Sequence, residues 1–114
     1  MIEPSGLPLI VHCTVGKDRT GLVIALVLLT LGIPREAIEY DYALTDAGIE
    51  SQRADMLADL KRYGLDDTWA STAPDMIAAM EAHLRDEYGG LDAYLDGTGF
   101  GQTERTRLRE MLLC

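Results

Sequence analysis

The chain has 114 residues, of which 47% are hydrophobic and 25% charged, and this size and balance predict one globular domain over residues 1–114 rather than two domains or a disordered chain. Its 19 acidic and 10 basic residues give a formal net charge of −9, which argues against general nucleic-acid binding and, more weakly, against docking on an anionic membrane surface. The most apolar stretch, residues 21–31, is shorter than the roughly 20 residues that span a bilayer, so no stable membrane insertion is expected.

The first predicted element is a short strand at Leu9–Val11. Pro4, Gly6 and Pro8 make a turn-rich opening before it, and the apolar run is of the kind found in strands buried on both faces. Such a strand needs neighbours on both edges to pair its backbone groups, and no second clear strand follows in the sequence. Unless the run is itself helical, we expect a helix-rich α/β fold whose sheet is completed by another chain, either a second copy or a separate fragment.

The remainder of the sequence is predicted to be helical. Residues 19–31 are apolar almost all round, which is typical of a buried helix. Gly32 is expected to cap this helix, and Pro34 to prevent its continuation and begin the next one. Later helical segments are expected over residues 46–63, from Ser71 or Thr72 to residue 88, over residues 91–95, and over residues 103–113.

One stretch carries the chemical signal. It reads His12-Cys13-Thr14-Val15-Gly16-Lys17-Asp18-Arg19-Thr20-Gly21. From average residue frequencies, its key positions match by chance on the order of once in a million chains of this length. The stretch resembles the signature of the cysteine-dependent protein tyrosine phosphatases, HCx5R followed by Ser or Thr, and in particular the bacterial and fungal branch whose loop reads HCxxGKDRTG.

The resemblance extends beyond this loop. Residues 41–46, DYALTD, are similar to the family's stretch after the first helix, and residues 88–95, YGGLDAYL, to its C-terminal part. In the family, strands and helices precede the signature loop and supply most of the sheet, whereas only eight residues precede the predicted strand here. The resemblance therefore implies the C-terminal portion of a phosphatase-like fold, covering roughly residues 9–113.

The physical properties of the loop agree with phosphate chemistry. Five residues between Cys13 and Arg19 can curl so that backbone N–H groups, including those of Thr14, Val15 and Gly16, form an anion site at a helix N-terminus. The planar guanidinium of Arg19 can hold two phosphoryl oxygens. Gly16 permits a backbone angle or a close approach that a side chain would obstruct. The helix N-terminus and nearby cations lower a thiol's pKa, which makes Cys13 the candidate nucleophile; the alternative is an inert buried cysteine.

Narrower roles are expected for the other side chains of the loop. The resemblance implies that Asp18 is the general acid and later activates water; alternatively it only orients the loop or pairs with Lys17. Lys17 contacts a second phosphate, steers the substrate anion or is simply solvated. Thr20 hydrogen-bonds the Cys13 sulfur or caps the helix. His12 is expected to order the loop as a buried, hydrogen-bonded histidine.

The predicted reaction is hydrolysis of a phosphate monoester through a phosphocysteine, with no metal or other cofactor. Phosphotyrosine on protein is the leading substrate class and phosphoinositide the second. A non-enzymatic alternative is a module that only binds oxyanions, and sulfur transfer of the rhodanese kind fits less well because its cysteine loop is usually shorter. Trp69 either covers a core edge or lines a substrate pocket.

Cysteine content and the N-terminal residues bear on location. Cys13 and Cys114 are too few for a disulfide scaffold. The chain shows no basic segment followed by an apolar run at its start, so no signal peptide is expected. The sequence therefore predicts a reducing, cytoplasmic location.

Overall fold

The computed structural model describes residues 8–113. Over this range the chain forms six α-helices and two short 3-10 helices. The elements are α1 (Arg19–Thr30), α2 (Arg35–Gly48), a 3-10 turn (Glu50–Gln52), α3 (Arg53–Arg62), a second 3-10 turn (Asp67–Ala70), α4 (Met76–Tyr88), α5 (Leu91–Gly97) and α6 (Gln102–Leu112). The helical part of the prediction is thus confirmed in outline.

The predicted strand is absent. Leu9–Val11 has no regular secondary structure, and no strand occurs anywhere in residues 8–113. Leu9 and Ile10 are 67% and 82% exposed. A strand is held by hydrogen bonds to a neighbouring strand, and the described chain supplies only helices as neighbours. The predicted α/β fold class, with a sheet completed by another chain, is therefore wrong, and helices are the only regular secondary structure in the described residues.

The end of α1 and the start of α2 follow the sequence signals. Gly32 has a φ of +80°, and the N–H groups of Gly32 and Ile33 donate to the carbonyls of Leu29 and Leu28 at 3.0 Å each. Glycine adopts this left-handed backbone conformation without strain, so it closes the helix. Pro34 then precedes α2 with an extended backbone, and its ring fixes the chain for helix entry.

The helix predicted over residues 46–63 is interrupted. α2 ends at Gly48, a 3-10 turn follows, and α3 begins at Arg53. The Arg53 guanidinium reaches back to the carbonyl of Asp46 at 3.3 Å, and Ile49 at the break is buried. Tertiary contacts at the break therefore outweigh the helical periodicity of the sequence.

Helices α1, α2 and α4 meet at one hydrophobic core. Ala25, Ile38 and Ile77 contribute one buried side chain each, and Tyr42 and Met80 pack against them. This core fixes the direction of α1. Because the signature loop leads directly into α1, the core also fixes where the loop's backbone amides point.

Polar contacts attach α6 to the rest of the fold. The Arg109 Nε donates to the carbonyl of Thr30 at the end of α1, at 2.9 Å. Arg105 is buried, and its guanidinium pairs with Asp96 at 2.8 Å and Asp92 at 3.3 Å. A buried cation needs such partners, so these pairs fix the position of α6 against α5.

A large apolar groove lies open beside α1. Its volume is about 820 Å³, and it is bounded by residues before the loop and by α1, α5 and α6. Val23, Val27, Leu95, Leu108 and Leu112 are among its lining residues. Surfaces of this kind commonly mark an interaction site.

Among residues 8–113, the structure has no helix with both the length and the apolar character for crossing a bilayer.

Candidate active site

The signature loop prepares an anion site at the start of α1. Gly16 has a φ of +72°, and a Cβ added there would meet no atom within 4 Å. Glycine is therefore used at this position for its backbone angle rather than for space. Asp18 occupies the N-cap position of α1, yet its side chain makes no capping hydrogen bond. The Asp18 side chain thus leaves the N–H groups of the first turn available to another acceptor.

Cys13 faces these donors. The pKa of its thiol is lowered from 9.0 to about 6, first by the side-chain hydrogen bond of Thr20 and then by the Thr20 N–H. Partial burial opposes this shift, and the N–H groups of Gly16 and Val15 add smaller contributions that lower the pKa further. Hydrogen bonds that stabilise the charged form of a group lower the pKa of an acid. Cys13 is therefore mostly a thiolate at neutral pH, the reactive form of cysteine.

The Thr20 side chain acts on this sulfur. Its hydroxyl is buried and makes no hydrogen bond of regular geometry among the described residues. The Cys13 sulfur is the acceptor that it stabilises, with looser geometry than an ordinary hydrogen bond. The hydroxyl caps no helix amide, so of the two roles considered for Thr20 the contact with sulfur fits the structure better.

Arg19 closes the other end of the loop. Its Nη2 donates to the Oγ1 of Thr14 at 3.2 Å, and the contact is exposed. The hydrogen bond links the first turn of α1 to the residue after the cysteine. The guanidinium is thereby kept beside the loop with its remaining N–H donors accessible to an anion.

Lys17 and Asp18 form an ion pair at the edge of the loop. The Lys17 Nζ lies 2.7 Å from Oδ1 of Asp18, and the side chains are 4% and 56% exposed. The same Nζ donates to the carbonyl of Ser71 at 3.3 Å. Lys17 is therefore buried against protein rather than solvated at the rim, whereas the Asp18 carboxyl remains accessible from solvent.

Comparison with known proteins identifies the family. Residues 1–114 match the model described as "Tyrosine phosphatase family". The chain belongs to the tyrosine phosphatase family. It is 30% identical, over 96% of its length, to the triple specificity protein phosphatase PtpB of Mycobacterium tuberculosis, of which the match covers 45%. It is 33% identical, over 89% of its length, to a tyrosine-protein phosphatase of Nostoc commune, of which the match covers 37%. The chain thus spans less than half the length of these relatives, and the resemblance stated from its signature loop is confirmed.

The signature-loop residues of this family member are not all placed as the sequence predicts. Cys13, Thr20 and the amides of Val15 and Gly16 converge, and Arg19 lies over Thr14. His12, in contrast, is exposed, so its prediction as a buried histidine is wrong. Loop residues on either side of the cysteine alternate between exposed and partly buried positions, and His12 falls on the exposed side.

Three polar residues beside the loop were given no role from the sequence. Asp46, Arg53 and Thr72 form hydrogen bonds around the residues that precede α4. Asp46 lies within the DYALTD stretch that resembles the family, which is the one sequence signal that could have drawn attention to it. Thr72 is predicted only as a helix-start residue, and its bonds to Asp46 depend on a turn that no local pattern reveals.

A small cavity of about 100 Å³ lies beneath the loop between α1 and α2, lined in part by Thr20, Gly21 and Tyr42. A Cβ at Gly21 would lie 2.9 Å from Cε2 of Tyr42.

We expect Gly21→Ala to displace the Tyr42 ring and destabilise the fold by about 1–3 kcal/mol, the usual cost of overpacking. Chemical denaturation measures the loss. Gly48→Ala is the matched control, because a Cβ there meets nothing within 4 Å; equal stability of the two variants would contradict the packing explanation.

The lowered pKa of Cys13 predicts a pH profile for its alkylation. In a Cys114→Ser background, the rate of Cys13 alkylation by iodoacetamide should increase with pH with a midpoint near pH 6, rather than near 9.0. The reaction slows as the pH falls through 6, because protonation removes the thiolate. Thr20→Val should move the midpoint upward, since the hydroxyl makes the largest contribution to the shift. Thr106→Val, on the exposed surface of α6, should leave it unchanged; an equal shift in both variants would contradict the role of Thr20.

Proposed function

We propose that this chain hydrolyses phosphate monoesters through a phosphocysteine intermediate, with phosphotyrosine on protein as the leading substrate class. The observation that carries the proposal is the Cys13 thiol, whose pKa is about 6 because a hydroxyl and three backbone N–H groups converge on it. A site that stabilises a thiolate in this way also presents donors to a phosphoryl group. Membership of the tyrosine phosphatase family supports the same chemistry.

The first step transfers the phosphoryl group to sulfur. The Cys13 thiolate attacks phosphorus, a sulfur–phosphorus bond forms, and the ester oxygen–phosphorus bond breaks. Loop amides and the Arg19 guanidinium bind the three equatorial oxygens, which carry the charge of a loose transition state. The Asp18 carboxylic acid gives its proton to the departing oxygen. Its exposure on the solvent side of the loop leaves it accessible to a leaving group that enters from outside.

The second step releases phosphate. A water molecule attacks phosphorus, the Asp18 carboxylate takes the water's proton, and the sulfur–phosphorus bond breaks to return the Cys13 thiolate. The Thr20 hydroxyl, which already stabilises that sulfur, lowers the energy of the leaving thiolate. The cycle is balanced: one water is consumed, and one alcohol and one phosphate are produced.

Rapid-mixing kinetics with p-nitrophenyl phosphate tests the reaction. We expect turnover, with a burst of nitrophenol when phosphocysteine hydrolysis is the slower step. Quenching during turnover should trap a phosphoryl group on the peptide that contains Cys13. Phosphate or vanadate binding without any turnover would instead support the oxyanion-binding module, and release of thiocyanate from thiosulfate and cyanide would support sulfur transfer.

Among substrates, a phosphotyrosyl peptide is favoured over a membrane phosphoinositide. The net charge of −9 opposes approach to an anionic lipid surface. Both relatives are named as protein phosphatases, one for tyrosine and one for triple specificity. The two substrate classes are compared by phosphate release from a phosphotyrosyl peptide and from a short-chain soluble phosphoinositide. Faster turnover of the phosphoinositide would reverse the order.

The proposed mechanism also bears on location and assembly. A cytoplasmic location suits the chemistry, because a reducing compartment keeps Cys13 as a free thiol. For assembly, we propose that a second copy of the chain covers the apolar groove beside α1, since exposed apolar grooves of this kind commonly mark interaction sites. Sedimentation velocity should show concentration-dependent association that Leu112→Glu weakens. A cooperatively unfolding monomer at micromolar concentration would contradict this assembly.

A further inference from the structure

The residues just before α4 are held against the signature loop by a network of polar contacts. Arg53, at the start of α3, donates through Nη1 to the carbonyl of Ala70 at 2.8 Å and to Oγ of Ser71 at 3.2 Å. Its Nη2 donates to the carbonyl of Asp46 at 3.3 Å. A single guanidinium thus ties three parts of the chain together: the end of α2, the start of α3 and residues 70–71.

Asp46 makes the second attachment. Its Oδ1 accepts from the N–H of Thr72 at 2.8 Å, and its Oδ2 accepts from the Thr72 hydroxyl at 2.7 Å. These two bonds, with smaller contributions from the charges of Arg53 and Lys17, lower the pKa of Asp46. The carboxylate therefore stays ionised, and both of its oxygens are used to fix one residue of the segment.

The segment in turn holds the signature loop. The carbonyl of Ser71 accepts from Nζ of Lys17 at 3.3 Å. Lys17 is only 3% exposed, and its Nζ also lies 2.7 Å from the Asp18 carboxylate. Burial of an ammonium group is costly unless its donors are paired. If the hydrogen bond to the Ser71 carbonyl were lost, the lysine side chain would move toward water. The Asp18 carboxylate would then lose its fixed partner.

We propose that Asp46 is a positioning residue for the reaction: through Thr72 and Ser71 it keeps Lys17 buried, and Lys17 keeps the Asp18 carboxyl oriented toward the leaving group. This inference rests on the proposed function for the role of Asp18. Asp46 touches neither Cys13 nor the phosphate-binding amides in the described contacts. Its loss should therefore affect proton donation to the leaving group much more than the reactivity of the sulfur, because small errors in position strongly weaken an oriented catalytic group.

The first test needs no catalysis. The chain has two lysines, Lys17 and Lys61, and Lys61 is exposed. Acetylation of the full chain by limiting N-hydroxysuccinimidyl acetate, read by peptide mass spectrometry, should label Lys17 at least about tenfold more slowly than Lys61, because burial restricts access. In Asp46→Ala the ratio should approach one, whereas Asp55→Ala, at an exposed position on α3, should retain the wild-type ratio.

Two further variants keep this test decisive. Asp46→Asn can still pair with the N–H and hydroxyl of Thr72, with one hydrogen bond reversed, and should restore most of the protection of Lys17. Thr72→Val removes one hydroxyl with little change of shape and should expose Lys17 partially, even where Asp46→Ala does not fold. Unchanged protection of Lys17 in Thr72→Val and in a folded Asp46→Ala would overturn the proposal.

The second test measures kcat/KM for aryl phosphates of different leaving groups. Asp46→Ala should lower it about tenfold or more for phenyl phosphate and much less for p-nitrophenyl phosphate, while the alkylation midpoint of Cys13 stays near pH 6. An equal loss for both substrates, or a shifted midpoint, would show a general structural effect and overturn the positioning role. Failure of the wild-type chain to turn over either substrate would contradict the proposed function, whereas the labelling ratio would still report whether Asp46 holds Lys17.

Discussion

Replacement of Cys13 by serine is expected to remove turnover entirely while leaving phosphate binding largely intact. The serine hydroxyl is not ionised at neutral pH, so the reactive nucleophile of the proposed mechanism is lost. The amides of Val15 and Gly16 and the first turn of α1 remain in place, so the anion site persists. Turnover of p-nitrophenyl phosphate and vanadate affinity by calorimetry measure the two properties separately.

The second cysteine provides the control for this experiment. Cys114→Ser should keep the wild-type rate, because the proposed chemistry assigns Cys114 no role. Retention of most of the wild-type rate by Cys13→Ser would contradict a covalent mechanism. Loss of vanadate binding together with turnover would instead indicate that the thiolate itself holds the loop in shape.

The loop's backbone conformation was the part of the structure most accessible from sequence. Glycine at position 16 predicts an unusual backbone angle or a close approach, and its φ of +72° supports the first. Thr20 follows the cysteine by a spacing that places its hydroxyl and N–H at the first turn of α1, and both lower the pKa of Cys13. Such relations are local, because a short loop and the helix after it determine them, and local rules are the ones that a sequence pattern expresses.

The fold class was not accessible in the same way. Leu9–Val11 is apolar, but three residues do not determine whether a strand forms, since a strand depends on partners elsewhere in the chain. In the described structure Leu9 and Val11 line an apolar groove with α1 and α6 instead. The helix break at residues 49–52 is also a tertiary effect, because Arg53 bonds back to the α2 carbonyl of Asp46.

Lys17 shows how tertiary contacts can give a loop residue a different role from the one its sequence neighbours predict. In the sequence its charge sits beside Asp18 and Arg19, which favours a role at the rim of the anion site. In the structure the side chain turns inward to the Ser71 carbonyl, a residue separated by 54 positions. No spacing rule connects two such positions. The contacts that link the Lys17–Asp18 ion pair through Ser71 and Thr72 to Asp46 are therefore found only once the fold is known.

Asp18→Asn is expected to slow hydrolysis of substrates with poor leaving groups far more than that of substrates with good ones. A phenolate of high basicity needs a proton as its bond to phosphorus breaks, whereas p-nitrophenolate departs more easily without one. General acid catalysis contributes about 10²–10⁴-fold, so kcat/KM for phenyl phosphate should fall in that range. The amide oxygen of asparagine still accepts from Lys17, whose Nζ lies 2.7 Å from the native carboxylate, so the loop should keep its shape.

Asp59→Asn, at an exposed position on α3, is the matched control and should keep wild-type rates on both substrates. The slope of log kcat/KM against leaving-group pKa should become steeper in Asp18→Asn but not in Asp59→Asn. A uniform loss across the series would assign Asp18 to holding Lys17 and the loop rather than to proton transfer.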